Sequence, residues 1–319
     1  MNSLNGIHHI SAITADATRN LEFYAGVMGL RLVKKTVNQD NPAVYHLFYA
    51  DEDGSPGADL TFFEYPGLER GRAGAGMIHR IGLRVASEQA LDFWAKRLAA
   101  AGLESTRSER SLRFTDPEGL DIELLEAPSS DTPLQASHPE VPEKFALQGF
   151  AGVRAYTRRP EQSRDFLTDT LGFTSSDSSA YEARGDSRGS FYLYDAAPEQ
   201  RGLGGSGTVH HVAWSSTMQD HSAWRQQVIR GGGNPTPIID RFYFRSIYFR
   251  EPSGVLFEIA TMGPGFSTDE AKEHLGERLS LPPAFEYLRP QVEANLTPLP
   301  NPREARLIPA HGKVPEGLR

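Results

Sequence analysis

Residues 6–14, GIHHISAIT, and residues 208–216, TVHHVAWSS, decide how this chain is read. Both are short apolar stretches with strand character, and each is interrupted by two adjacent histidines, His8–His9 and His210–His211. Neighbouring side chains on a strand point to opposite faces, so one imidazole of each pair is expected to enter a cavity while the other takes a different direction. Two such strands would bring two imidazoles to one site.

Moving outward, each stretch opens a unit of strand, helix and three strands, and that βαβββ outline recurs four times. The first copy, residues 6–65, has strand Gly6–Ala15 and an amphipathic helix Thr18–Met28 with Leu21, Tyr24, Ala25 and Met28 on one face, closed by Gly29. Its strands follow at Arg31–Asn38, Tyr45–Ala50 and Asp59–Tyr65, separated by QDNP and DEDGSPG turns. The second, residues 77–126, has strand Met77–Val85, helix Glu88–Ala101 and strands near Glu104, at Ser111–Thr115 and at Leu120–Glu126. Residues 127–148, rich in Pro and Ser without periodicity, read as a linker or crossover. The third, residues 149–196, has strand Gly149–Thr157, helix Pro160–Thr170 and strands at Phe173, Ser179–Arg184 and Ser190–Asp195. The fourth, residues 208–262, has strand Thr208–Ser215, helix Met218–Arg230 and strands Pro237–Asp240, Tyr243–Arg250 and Val255–Thr261. Residues 263–319 form a tail of mixed apolar and Pro content, expected to lie across the surface. The fold class is α+β.

The last strand of the fourth copy, GVLFEIAT, carries Glu258 between Phe257 and Ile259, and a carboxylate among apolar neighbours needs a partner to offset its desolvation. Strand histidines and a lone acid are also ordinary core features when neighbouring polar groups satisfy them. Recurrence of the pair at equivalent places favours the other reading, a mononuclear metal site. Two imidazoles and one carboxylate form a facial triad that leaves positions for a substrate oxygen and dioxygen on Fe(II). His79 in MIHRIGL and Glu123 in DIELLE sit at corresponding places in the second copy, but the third opens with GFAGVRAYT and lacks a histidine. That pair of copies is expected to be degenerate, with His79 and Glu123 structural or surface-paired, and the first and fourth copies to carry the metal.

Composition narrows the field. The 319 residues suffice to bury cores without staples, and with no cysteine there are no disulfides, thiolate zinc sites or cysteine nucleophiles. With 33 basic and 41 acidic residues the net charge is −8, without long runs of one sign, which argues against nucleic acid or an anionic membrane and for a small-molecule partner. The N-terminus lacks a basic segment followed by an apolar one, and no long apolar run occurs, so a soluble cytoplasmic protein is expected. No GxSxG elbow, phosphate loop or dinucleotide fingerprint is present; GLGGSG at 202–207 reads as a flexible lead into the fourth copy. Homo-oligomerisation is left open.

The HHI and HHV strands, the stretch DRFYFRSIYFREPSGVLFEIATMGPGF and the tail segment LGERLSLPPAFEYLRPQVEANL together resemble the vicinal oxygen chelate superfamily of glyoxalases, bleomycin-resistance proteins and extradiol dioxygenases. Within it they are similar to the ring-cleaving dioxygenases that act on hydroquinones. The resemblance covers residues 6 to about 300 and implies two barrels. It further implies that His9, His211 and Glu258 bind Fe(II), or alternatively Mn(II), with Tyr248 close enough to be an additional ligand. It places His8, His210 and Arg241 around them, moving protons and holding a substrate oxyanion. Tyr248 reads equally as an aromatic in the core of an inward-facing strand, and Arg241 starts the run RFYFR, whose Phe242, Tyr243 and Phe244 are candidates for an aromatic wall. The implied activity inserts both atoms of O2 into a 1,4-dihydroxybenzene. Three alternatives stay open: extradiol cleavage of a catechol, a Zn(II) or Ni(II) lyase or isomerase, and a non-catalytic small-molecule binder. Glu64 in LTFFEYPG closes the first copy where a symmetric site would place a fourth ligand, and as a ligand it would bring the site to the glyoxalase pattern.

Overall fold

The computed structural model describes residues 3–175 and 177–305. Residues 306–319 of the expected tail lie outside them.

Among the described residues, sixteen strands form two eight-stranded sheets. The first sheet takes β1 (Ile7–Thr14), β2 (Arg31–Asn38), β3 (Asn41–Ala50) and β4 (Asp59–Glu64) from the N-terminal quarter, and β13 (Thr208–Ser216), β14 (Ile239–Asp240), β15 (Arg245–Arg250) and β16 (Leu256–Thr261) from the C-terminal one. Its order is β14-β15-β16-β13-β1-β4-β3-β2. The second sheet takes β5 (Met77–Val85), β6 (Ser105–Arg107), β7 (Ser111–Thr115), β8 (Asp121–Glu126), β9 (Phe150–Thr157), β10 (Thr174–Ser175), β11 (Ala180–Arg184) and β12 (Gly189–Ala196), in the order β10-β11-β12-β9-β5-β8-β7-β6. The result is an α+β fold of two barrel-like halves, in which the outer quarters of the chain share one sheet and the inner quarters the other.

Strand alternation sorts the side chains. In the first sheet, Ile10, Val212, Trp214, Phe257 and Ile259 belong to the main hydrophobic core, whereas Ala213, Phe48 and Ala260 belong to a smaller cluster around the other face. His9, His211 and Glu258 alternate onto that second face.

The helices depart from a regular α-helical reading. Asp16 accepts from the Arg19 N–H and starts α1 (Ala17–Leu21), but the chain widens into a π-turn at Glu22–Val27, with the Met28 N–H donating to the Phe23 carbonyl. The wider turn buries Phe23 together with Tyr24, and Phe23 lies off the stripe that a 3.6-residue period selects. Likewise, the expected helix Pro160–Thr170 is a 3₁₀ turn at Pro160–Ser163 followed by a π-turn at Phe166–Thr170. By contrast α2 (Glu88–Ala100) is regular, capped by Ser87, with Leu91, Trp94 and Leu98 buried. In the fourth unit α3 (His221–Arg230) begins three residues after Met218. There β15 begins at Arg245 and not at Tyr243, because Phe242 adopts φ 69° and folds residues 241–244 into a turn. The expected QDNP loop shrinks to Gln39–Asp40, since β3 already starts at Asn41.

The tail is more than a surface strap. Lys34 of β2 is fully buried and its ammonium donates to Asp269 at 2.8 Å and to Glu270, while Tyr45 and Lys35 donate to the carbonyls of Thr297 and Leu299. Leu281, Val292 and Leu296 join the main core, so the tail seals the β2–β3 edge. Residues 127–148 cross between the sheets, with Asp131 gripping Arg184 and the Gly189 N–H, and Gln135 receiving the Glu52 N–H. No helix among the described residues is long and apolar enough to cross a membrane.

Candidate metal centre

The antiparallel pair β1–β13 is symmetric about Ile10↔Val212, with His9 opposite Ala213 and Ser11 opposite His211. Register shifts fall between Ile7 and His9 and between Ser11 and Ala12, so His8 and His210 are the unpaired residues of two β-bulges. One imidazole of each pair enters a cavity, as expected, since His9 and His211 line a cleft and His8 and His210 do not, but the two rings of a pair stay in contact. A bulge suspends the alternation and keeps both rings together: His8 Nδ1 lies 3.0 Å from His9 Nδ1, and His210 Nδ1 lies 2.7 Å from His211 Nδ1.

His9, His211 and Glu258 are buried and offer donor atoms within 4.8 Å of one another. His9 Nε2 and His211 Nε2 are 3.2 Å apart, and Glu258 Oε2 lies 3.2 Å from the first and 2.9 Å from the second. The protonation pattern follows from one carbonyl. His8 Nε2 is 3.1 Å from the Thr261 carbonyl, which can only accept, so Nε2 carries the proton. Burial, then the neighbouring His9, lowers the His8 pKa to about 3 and keeps it neutral, so its Nδ1 is bare and accepts from His9 Nδ1–H. His9 is thereby left with a bare Nε2 aimed at Glu258. Burial by itself raises the Glu258 pKa, and only positive charge at His9 and His211 would hold the carboxyl well below the usual range. Ser246 donates to Oε1 at 2.5 Å, whereas Oε2 is buried without a conventional hydrogen-bond partner. An orphaned carboxylate oxygen facing electron pairs on imidazole nitrogen is unfavourable unless a cation lies between them, so this donor set fits a divalent metal.

Glu64 is not among these residues. Its Oε1 accepts from the Ala17 N–H at 2.9 Å, at the start of α1. Strand register assigns the symmetric place to another residue: Ala213 pairs with Glu258, and its counterpart Ser11 pairs with Thr61. Thr61 Oγ1 bonds Ser11 Oγ at 2.8 Å and His46 Nε2 at 2.9 Å. Thus a hydroxyl occupies the position that would make the site four-liganded.

A cleft with about 430 Å³ of empty space, its mouth included, opens beside His9 and His211, with Phe48, Phe63, Phe244 and Tyr248 on its walls. Tyr248 pairs with Glu258 across β15–β16, and its ring centroid is 5.7 Å from that of His211. Burial, then the Glu258 charge, raises its pKa. Arg241 lies at the cleft with its guanidinium over the Tyr248 ring at 5.5 Å, and both terminal nitrogens hold Asp40, at 2.9 and 2.8 Å. Burial pulls its pKa down, but Asp40 and Tyr248 more than offset that. Of the aromatic run, Tyr243 and Phe244 line the cleft, whereas the left-handed turn at Phe242 takes that ring out of the lining. His210 is exposed along its outer edge; partial burial, then His211, lowers its pKa to about 4.

His46, Thr61, Ser246 and Asp40 were not singled out by sequence reasoning. Ser246 precedes Tyr248 by two, the strand repeat that selects the same face, and His46 is the lone histidine of β3; both signals were present. Asp40 sits in a turn, where an acidic residue carries no information.

Residues 6–124 and 149–259 match the Glyoxalase/Bleomycin resistance protein/Dioxygenase superfamily. The chain is 39% identical over 315 residues to MhqA of Bacillus subtilis, a candidate ring-cleaving dioxygenase, covering 93% of this chain and 99% of MhqA. It is 30% identical over 307 residues to the chlorohydroquinone/hydroquinone 1,2-dioxygenase of Sphingobium indicum, covering 91% and 95%. A crystal structure of a candidate dioxygenase from Bacillus subtilis superposes with a TM-score of 0.87 at 37% identity, over 94% of this chain and 98% of the other. With both halves matched and the relatives aligned nearly end to end, the chain belongs to the Glyoxalase/Bleomycin resistance protein/Dioxygenase superfamily.

Proposed function

We propose that this chain is a ring-cleaving dioxygenase that acts on a hydroquinone, with one Fe(II) held by His9, His211 and Glu258. The observation that carries the reading is Thr61: with a hydroxyl in the register place of a second carboxylate, the site presents three ligands and leaves coordination positions for substrate and dioxygen. Similarity to a hydroquinone 1,2-dioxygenase over 91% of the chain supports the substrate class.

Bound there, ferrous iron supplies the electron traffic that lets dioxygen react with an aromatic ring, and Mn(II) fits the same donors. The protein does the rest. The Thr261 carbonyl, through His8, fixes the tautomer of His9 so that Nε2 keeps its electron pair. Phe63 and Phe244 flank the cleft and exclude water from the ring to be cleaved. Arg241, steadied by Asp40, presents positive charge to a developing oxyanion, and Tyr248 borders the same space. His210, on the solvent side of His211, is placed to pass a proton from the cleft to bulk water.

The test is oxygen uptake by anaerobically Fe(II)-loaded protein given methylhydroquinone, with bound metal quantified and His211→Ala as control. Uptake with a ring-opened product, absent in the control together with stoichiometric iron, is the expected result. Tightly bound Zn(II) or Ni(II) with no uptake on any hydroquinone or catechol would favour a glyoxalase-like lyase or isomerase. A preference for catechol would replace the hydroquinone by an extradiol substrate.

A further inference from the structure

His46 stands in the register place of Ser246. Ser246 pairs with Ala260, two residues beyond Glu258, and His46 pairs with Phe63, two residues beyond Thr61. Each reaches toward the residue in the ligand place of its own half: Ser246 Oγ donates to Glu258, and His46 Nε2 meets Thr61 Oγ1 at 2.9 Å. The parallel then breaks. Glu258 belongs to the metal triad, so Ser246 serves the metal, whereas Thr61 is not a ligand, and His46 is left with no metal-directed duty.

The ring is nevertheless held firmly. Phe48 and Phe63 lie against it at centroid distances of 4.0 and 4.2 Å, and Thr61 is itself fixed by Ser11. With Nε2 occupied, Nδ1 has no hydrogen-bond partner among the described residues, and the half-buried ring lines the cleft that contains His9 and His211. A rotationally fixed imidazole with one unused nitrogen on a cleft wall is a recognition element, since a polar group displayed there discriminates against ligands that cannot pair with it.

We propose that His46 is a specificity-determining residue that hydrogen-bonds, through Nδ1, the substrate hydroxyl remote from the metal. The inference rests on the hydroquinone reading above, since a 1,4-diol places one oxygen at the metal and the other across the ring. Neutral imidazole serves either polarity. With the proton on Nε2, donated to Thr61, Nδ1 accepts from the hydroxyl; with Thr61 donating to Nε2, Nδ1–H donates to it. The Ser11–Thr61 pair accommodates both arrangements because either hydroxyl can be the donor.

The experiment measures anaerobic dissociation constants of hydroquinone and of phenol, which lacks the second hydroxyl, on the Fe(II)-loaded full-length protein. Wild type is compared with His46→Ala and His46→Gln, with bound iron, melting temperature and oxygen uptake recorded for each. The expected wild-type preference for hydroquinone over phenol is about 2- to 10-fold, the worth of one neutral hydrogen bond. It collapses toward unity in His46→Ala with iron content unchanged, and His46→Gln, which retains a polar end, recovers part of it. An undiminished preference in His46→Ala overturns the proposal, as does joint loss of preference, iron and stability in both variants, which would make the role structural. If wild type cleaves hydroquinones while its preference ignores residue 46, only this inference fails. If wild type neither binds nor cleaves any hydroquinone, the functional reading fails with it.

Discussion

The two sheets share strand order and register, yet their concave faces hold opposite solutions to the same electrostatic problem. In the first sheet, His9, His211 and Glu258 converge with no protein cation among the described residues paired to the carboxylate. In the second, the pairs Ile81↔Val153 and Ile81↔Ile122 place Arg80 where His9 stands and Glu123 where Thr61 stands. Arg80 bonds Asp121 at 3.1 Å and Glu123 at 3.2 Å, while His79 stacks on Tyr156 and meets Asp195, which Arg154 also grips. A permanent guanidinium supplies within the chain the cation that the first sheet lacks among its described residues. The fold thus provides a position for paired charge, and in the second sheet an arginine fills it from within the chain.

The largest expected effect comes from making the two halves of the first sheet alike. Thr61→Glu restores a carboxylate opposite Glu258 and gives the site four protein ligands. Metal content should persist, with Zn(II) or Ni(II) retained at least as well as in wild type, and oxygen uptake should be lost because an open position is filled. A variant that takes up oxygen at the wild-type rate would remove Thr61 from the argument. Next in size, Ser246→Ala frees Glu258 Oε1 from its 2.5 Å hydrogen bond and should weaken metal binding by about 10- to 100-fold, read as metal retained against a chelator series. The fold, away from this buried hydroxyl, should melt within a few degrees of wild type.

Much of this arrangement was legible in the chain itself. The HHI and HHV strands and Glu258 in GVLFEIAT pointed to the triad, and the histidine missing from GFAGVRAYT pointed to a difference between the two sheets. What sequence could not supply was register. Glu64 and Thr61 are three residues apart on β4, and only the pairing of Ser11 with Thr61 tells which one faces the triad. Bulges were likewise invisible, because inserting one residue into a ladder leaves composition and spacing unchanged. The same holds for Phe23 and the π-turn, where one wider turn rotates every later side chain. Arg241 was identified by resemblance, but its partner Asp40 joins it from a turn 201 residues earlier, a contact that local pattern does not encode.

The second sheet explains its own missing histidine. Gly152 holds the place of His211, and a Cβ there would lie 2.3 Å from the Phe191 carbonyl oxygen, so the close approach of β9 and β12 excludes any side chain. Gly152→Ala should therefore destabilise the protein by about 1–3 kcal/mol, the cost of overpacking, seen as a lower denaturation midpoint with metal content unchanged. The smallest effect tests whether arginine alone keeps metal out. Arg80→His supplies an imidazole near Glu123 and removes the internal cation, yet with no second imidazole possible at position 152 only two strong ligands converge. Metal analysis should still return one ion per chain, with a stability loss of about 1 kcal/mol from the broken, partly exposed ion pairs. Two ions per chain would mean that displacement of the cation suffices by itself, and that the tight contact at Gly152 is a packing detail with no part in deciding which sheet binds metal.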